Sequence, residues 1–239
     1  MPNSSLDHFI FDPCRASQLS WDMYRNIVMG IARGLHYLHE ESGLHVVHLD
    51  IKPSNILLDE HFQPKIMGFE LARLIQDGES EAESTIIFGT VGYVDPHFYQ
   101  TFHFSAKSDV YAFGVTILTI ITRRINNYGW EEETLIQYVL RCWTRGEAIN
   151  VIDEVTRKEE KEDSISEILR YIHIALLCVD VNPETRPSID EVLHWFSCLS
   201  TPLPEPRIGN QSLEEEETNW LSAAPSPGYG SPMSPVSPR

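Results

Sequence analysis

Apolar positions in the first part of the chain recur at helical steps. Tyr24, Ile27, Val28, Ile31, Leu35 and Leu38 follow one another at spacings of three and four, which predicts one buried helix face between Leu19 and about Glu41, capped by Ser20 and stopped by Gly43. Ile56-Leu57-Leu58 and Lys65-Ile66-Met67 then flank a polar turn and predict a short β-hairpin. From Ser105 to Thr122 there is no polar face: Val110, Tyr111, Phe113, Val115, Ile117, Leu118, Ile120 and Ile121 cover every side, as in a helix at the centre of a core. Glu132 to Thr144 and Ile165 to Val179 predict two more helices, with the charged stretch Arg157 to Asp163 between them as a solvated loop. Pro187 to Leu199 predicts a last helix. After Ser200 the pattern ends. Prolines, Ser-Pro pairs and the run Glu214 to Glu217 cannot bury enough surface to offset ordering entropy, so residues 201–239 are expected to form a disordered tail and residues 1–200 one folded domain.

Candidate chemistry lies between the first helix and the hairpin. His48-Leu49-Asp50-Ile51-Lys52-Pro53-Ser54-Asn55 brings together a carboxylate able to accept a hydroxyl proton, a cation for a phosphoryl group and an amide able to ligate a metal. Thirteen residues on comes Gly68-Phe69-Glu70, in which Gly68 has no side chain and the carboxylate of Glu70 follows two positions later.

Charge and cysteines narrow the partners. The chain has 239 residues, and its net charge is 18 − 35 = −17, which repels nucleic-acid phosphates and anionic lipid surfaces, so neither is an expected partner. Cys14, Cys142, Cys178 and Cys198 have no C-x-x-C spacing and no accompanying His cluster, which favours buried thiols in a reducing compartment over zinc or disulfides. The longest apolar run, around Phe113 to Ile121, is far short of the ~20 residues needed to cross a bilayer.

Taken in order, His48 to Asp59, Lys65 to Arg73, Gly89-Thr90-Val91-Gly92-Tyr93-Val94-Asp95-Pro96, Lys107 to Gly114, and Ile172 to Pro187 resemble a plant receptor-like serine/threonine protein kinase, near its cysteine-rich and S-domain members. The resemblance implies a mainly α-helical C-terminal kinase lobe with a short β-hairpin. Only 47 residues precede His48, too few for a complete N-terminal lobe, and residues 1–6 resemble the segment that links the lobes, so that lobe is expected to be absent.

The resemblance also implies roles. Asp50 would be the catalytic base, Lys52 would steady the phosphoryl group, and Thr90 would brace both; Asn55 would bind magnesium, and Leu57 with Leu6 would lie against the adenine. His48 and Phe69 would stack, Asp109 would hold the catalytic-loop backbone, and Arg186 would make a structural ion pair. His97 stands where the family has the glutamate that pairs with Arg186, so this pair is expected to be broken. Leu49 replaces the arginine that often receives an activation-loop phosphate, so phosphates on Ser80, Ser84 or Thr85 would lack their cation.

The family uses ATP and magnesium. With the metal carboxylate lost at Gly68, neither is expected to bind tightly here. The expected function is therefore that of a truncated, non-catalytic pseudokinase that binds a protein on the surface facing the missing lobe. The alternatives are a serine/threonine kinase that transfers the ATP γ-phosphate to protein, and a truncated gene product without function. The expected location is cytoplasmic, or at the plasma membrane if the chain belongs to a longer receptor-like kinase.

Overall fold

The computed structural model describes residues 2–16, 18–76, 78–126 and 133–207. Its helices are α1 (Asp7–Phe11), α2 (Pro13–Ala16), α3 (Trp21–His36), α4 (Pro96–Thr101), α5 (Ala106–Thr122), α6 (Leu135–Thr144), α7 (Glu154–Glu159), α8 (Glu162–Cys178) and α9 (Ile189–Ser197). The strands are short: β1 (Val46–Val47), β2 (Ile56–Leu58), β3 (Pro64–Ile66), β4 (Arg73–Leu74), β5 (Ala82–Glu83) and β6 (His103–Phe104). They form antiparallel pairs β1–β4, β2–β3 and β5–β6, so the described part is mainly α.

Helix α5 is the axis of the core, with every residue from Ser108 to Thr122 buried. A capping box starts it: Ser105 Oγ accepts from the Lys107 amide at 3.1 Å, and Ser108 Oγ accepts from the Ser105 amide at 3.3 Å. Its threonines are tolerated in an apolar setting because Thr116, Thr119 and Thr122 donate to the carbonyls of Ala112, Val115 and Leu118 at 2.8–2.9 Å. Helix α8 lies directly on α5 at Gly114, where an added Cβ would meet Cys178 Cβ at 2.7 Å.

Helix α3 buries the periodic face read from the sequence. Ser20 occupies its cap position, but its side chain makes no capping bond; the Trp21 amide donates instead to Glu160 Oε1 at 2.9 Å. The helix continues through a π-helical turn, Tyr37–Glu41, and the chain reverses at Gly43 with φ +70°. Against this helix lies the hairpin. Added Cβ atoms at Gly30 and Gly34 would meet Pro64 Cγ at 2.4 Å and Ile66 Cδ1 at 2.8 Å, so these two glycines let β3 seat on α3 and fix the hairpin that follows the candidate loop.

The charged stretch Arg157 to Asp163 is not a solvated loop. Its first residues belong to α7, where Asp153 accepts from the amides of Val155 and Thr156, and its last residues open α8. Charged residues are good helix formers, and the Asp153 cap together with the Glu154–Lys158 pair at i,i+4 offsets the missing apolar face. The cysteine expectation holds in part, since Cys142 and Cys178 are buried, but Cys14 is exposed because α2 is a peripheral turn.

The compact unit continues to Arg207, past Ser200. Arg170 donates to the carbonyls of Trp195, Cys198 and Thr201, His173 Nε2 donates to the Pro204 carbonyl at 2.8 Å, and Pro206 is buried. The tail assignment from residue 208 onward, like Asp77 and Glu132, lies outside the described residues.

Burial pushes the His173 pKa below its ordinary value, offset in part by the bond to Pro204 and the charge of Glu205. Because the folded state binds this proton less readily than the unfolded state, the contribution is intact above the unfolded pKa of about 6.5 and is lost as pH falls through the folded value. Denaturation of wild type and His173→Gln between about pH 7 and pH 5 should show a steeper loss in the wild type. Parallel curves would mean that other groups govern that limb.

Candidate active site

The loop from His48 to Asn55 leaves β1 with its backbone fixed from below. Asp109, fully buried in the first turn of α5, accepts from the amides of His48 and Leu49 at 2.8 Å each and from His39 Nε2 at 2.9 Å. These bonds hold Leu49 at φ +65°, an uncommon conformation for a bulky residue. The Leu49 side chain packs with Val47, Ile75, Phe98 and Phe104, and Phe88 sits against the same cluster. His48 Nε2 donates to the Met67 carbonyl at 2.9 Å, and its ring meets Phe69 edge to face at 4.8 Å. His48 thus touches Phe69, and Asp109 holds the loop backbone.

The four residues expected to act come together. Thr90 Oγ1 donates to Asp50 Oδ1 at 2.6 Å, Lys52 Nζ lies 2.8 Å from Asp50 Oδ2 and 2.5 Å from Thr90 Oγ1, and Asn55 Nδ2 donates to Asp50 Oδ2 at 2.7 Å and to its carbonyl at 2.8 Å. Asp50 and Lys52 keep 12% and 20% of their side chains exposed, so the carboxylate is oriented by donors yet open to an incoming hydroxyl. This geometry suits a fixed proton acceptor beside a cation.

The metal side is not built in the same way. Gly68 sits at φ +84° and ψ +43°, directly beside Asn55, where an added Cβ would meet Asn55 Nδ2 at 2.7 Å. Glu70 is exposed on the one-turn helix Phe69–Leu71. Among the described residues no three His, Cys, Asp or Glu side chains converge, and at this position Asn55 is the ligand candidate beside Gly68. Leu57 is half-buried on β2, as a residue lining an adenine would be. Leu6 is not available for that role: it is fully buried in the main core, and its amide donates to the Ile56 carbonyl at 2.8 Å.

Arg186 corrects another expectation. It does not face His97 as an unpaired charge. Asp95, two positions earlier, accepts from both of its terminal nitrogens at 2.7 Å, with the two side chains 0% and 1% exposed. Asp95 also accepts from Ser108 Oγ and from the His97 amide at 2.9 Å each, so it caps α4 while neutralising the arginine. An aspartate directly before Pro96 was legible as a helix cap. That it reaches Arg186, 91 residues away, was not.

Residues 1–196 match the family model for the protein kinase domain. Over its whole length the chain is 67% identical to cysteine-rich receptor-like protein kinase 45 of Arabidopsis thaliana, 68% of whose length it covers. It is 43% identical to cysteine-rich receptor-like protein kinase 38 of the same plant, with 93% of this chain aligned to 34% of that protein. A G-type lectin S-receptor-like serine/threonine-protein kinase of Arabidopsis thaliana is 39% identical over 87% of this chain and 24% of its own length. The chain therefore spans about a third or less of the latter two relatives. With its ordered series of loop motifs and a mainly helical core, the chain belongs to the protein kinase family, in the cysteine-rich receptor-like branch of plants.

Proposed function

We propose that this chain is a serine/threonine-kinase-type C-terminal lobe in which the side that receives the acceptor hydroxyl is assembled and the side that holds the metal is not, so that by itself it acts through binding rather than turnover. The observation that carries this reading lies at Gly68: it sits directly against Asn55, whose Nδ2 is bonded to Asp50, and brings no carboxylate to stand beside the Asn55 amide oxygen. Phosphoryl transfer is mainly positioning and charge neutralisation, and losing one preorganised group costs roughly 10²- to 10³-fold. Two neighbours of Gly68, Met67 and Phe69, are 40% and 46% exposed and offer an apolar surface to a protein partner. Within a longer receptor-like kinase, such a lobe would work at the cytoplasmic face of the plasma membrane.

The second reading is the activity in the relatives' names, transfer of phosphate from ATP to protein serine or threonine. The complete Asp50–Thr90–Lys52–Asn55 constellation favours it. A remnant that does not fold is disfavoured, because among the described residues every buried side-chain nitrogen and oxygen has a hydrogen-bond partner.

Radiolabelled ATP with magnesium or manganese and a generic acceptor protein separates the readings. No transfer is expected above an Asp50→Ala control. Transfer that vanishes in Asp50→Ala would establish the enzymatic reading and defeat ours. The double variant Gly68→Asp, Glu70→Gly is expected to stay inactive, because position 68 lies at φ +84°, where a side chain is strained, and its Cβ would crowd Asn55 Nδ2 at 2.7 Å.

A further inference from the structure

Thr90 reaches Asp50 from a loop, Gly89 to Val94, that turns between two glycines at positive φ, +121° at Gly89 and +90° at Gly92. Glycine loses the most conformational freedom on folding, so such a loop needs fixed points if it is to keep one hydroxyl 2.6 Å from its acceptor. One of them comes from far along the chain. Asn126, in the segment after α5, is 2% exposed, and its Nδ2 donates to the Gly92 carbonyl at 2.8 Å. Its Oδ1 accepts at 3.1 Å from the amide of Leu135, the first residue of α6. The Asn126 backbone carbonyl also lies against Gly92, where an added Cβ would clash with it. The oxygen that Asn126 Nδ2 holds belongs to the same planar peptide unit as the Tyr93 N–H, which donates to the Thr90 carbonyl at 2.9 Å. That unit is therefore gripped at both ends, by Asn126 at its oxygen and by Thr90 at its N–H.

We propose that Asn126 is a positioning residue for the acceptor side of the site: by fixing the Gly92–Tyr93 peptide it sets the Thr90 backbone, and so keeps Thr90 Oγ1 on Asp50 Oδ1 and beside Lys52 Nζ. The inference rests on the reading above that this side is assembled to receive a hydroxyl. Asparagine suits the task because one planar group presents a donor to the loop and an acceptor to the helix. A residue serving only to cap α6 would need the acceptor alone, since the first N–H groups of a helix lack partners within it and any oxygen would satisfy the Leu135 amide. The donor half of Asn126 has its use in the loop. Aspartate, nearly the same size, keeps the first function and loses the second.

The test compares the full chain with Asn126→Asp, Asn126→Ala and Thr90→Val at pH 7, through the side-chain carboxyl ¹³C resonance of Asp50 and hydrogen exchange at the Tyr93 amide. Neither readout needs turnover, so the result is independent of the phosphate-transfer assay. Asn126→Asp is expected to move the Asp50 signal in the direction seen in Thr90→Val, because both loosen the same donor. Exchange at Tyr93 should quicken about fivefold or more, the factor that one lost hydrogen bond is worth, while amides in the middle of α8 keep their protection. Asn126→Ala, which brings no charge into the buried site, should give the same two changes and serves if the aspartate variant does not fold. An Asp50 signal at its wild-type position in a folded Asn126 variant, with only the melting temperature lowered, would make Asn126 a cap of α6 and overturn the assignment. Loss of folding in both Asn126 variants would overturn it too, since the residue would then hold the fold as a whole. An Asp50 signal unmoved by Thr90→Val would instead defeat the reading of the acceptor side, and the inference with it.

Discussion

Replacing Asp95 with alanine is expected to destabilise the folded unit by about 3 to 5 kcal/mol, as measured by chemical denaturation, because it strands a buried guanidinium. All five N–H groups of Arg186 are used. Nε donates to the Asp180 carbonyl, one terminal nitrogen to Asp95 and the Lys107 carbonyl, and the other to Asp95 and the Val181 carbonyl. Its carbon also lies 5.0 Å from the centre of the Tyr111 ring. Removing the carboxylate leaves two of those donors and the full positive charge with no water to turn to. The same substitution in an Arg186→Met background should cost much less, so the four proteins form a cycle with a large coupling energy. Coupling near zero would mean that the three carbonyls hold the guanidinium unaided. His97→Glu, which would restore the residue expected from the family, should change stability by no more than about 0.5 kcal/mol, because its intended partner is already neutralised.

Asp109→Ala is expected to have a comparable effect on stability and a greater one on the loop. Three buried donors, the amides of His48 and Leu49 and the His39 ring, would lose their acceptor together, at about 1 to 3 kcal/mol for each group left unsatisfied. Asparagine should rescue little, since its NH₂ group would face an N–H where the carboxylate now accepts. Hydrogen exchange reports the local part. The amides of His48 and Leu49 should lose protection in Asp109→Asn, while those within α8 keep theirs. Retained protection at His48 and Leu49 would show that packing around Leu49 in the apolar cluster, rather than Asp109, fixes the loop.

Local chemistry was legible along the chain wherever neighbours in sequence are also neighbours in space. The α3 stripe, the all-apolar α5, the hairpin around β2 and β3, and the catalytic-loop motif each depend on contacts within a few residues, so their spacing betrayed them. Asp50, Lys52, Asn55 and Thr90 were singled out through the family resemblance, and in the structure Thr90 and Asn55 donate to Asp50. The misreadings share one cause. The charged stretch near Arg157 lacks an apolar face, so its helix rests on a cap and an ion pair that periodicity does not register. Leu6 resembled a cleft residue, yet its burial is set by packing against the rest of the core.

By itself the sequence determined the helices with an apolar face or an apolar run, α3, α5, α6, α8 and α9, where the His48–Asn55 motif lies, and that Gly68 brings no carboxylate to it. Tertiary structure alone decided who neutralises whom. Arg186 could have been left facing His97, but folding brings Asp95 to it across 91 residues, and it brings His39 to Asp109 across 70. A buried charge must find an opposite charge or fail to fold, and which acid answers it depends on how the backbone places α4 and α5, which no spacing along the chain records.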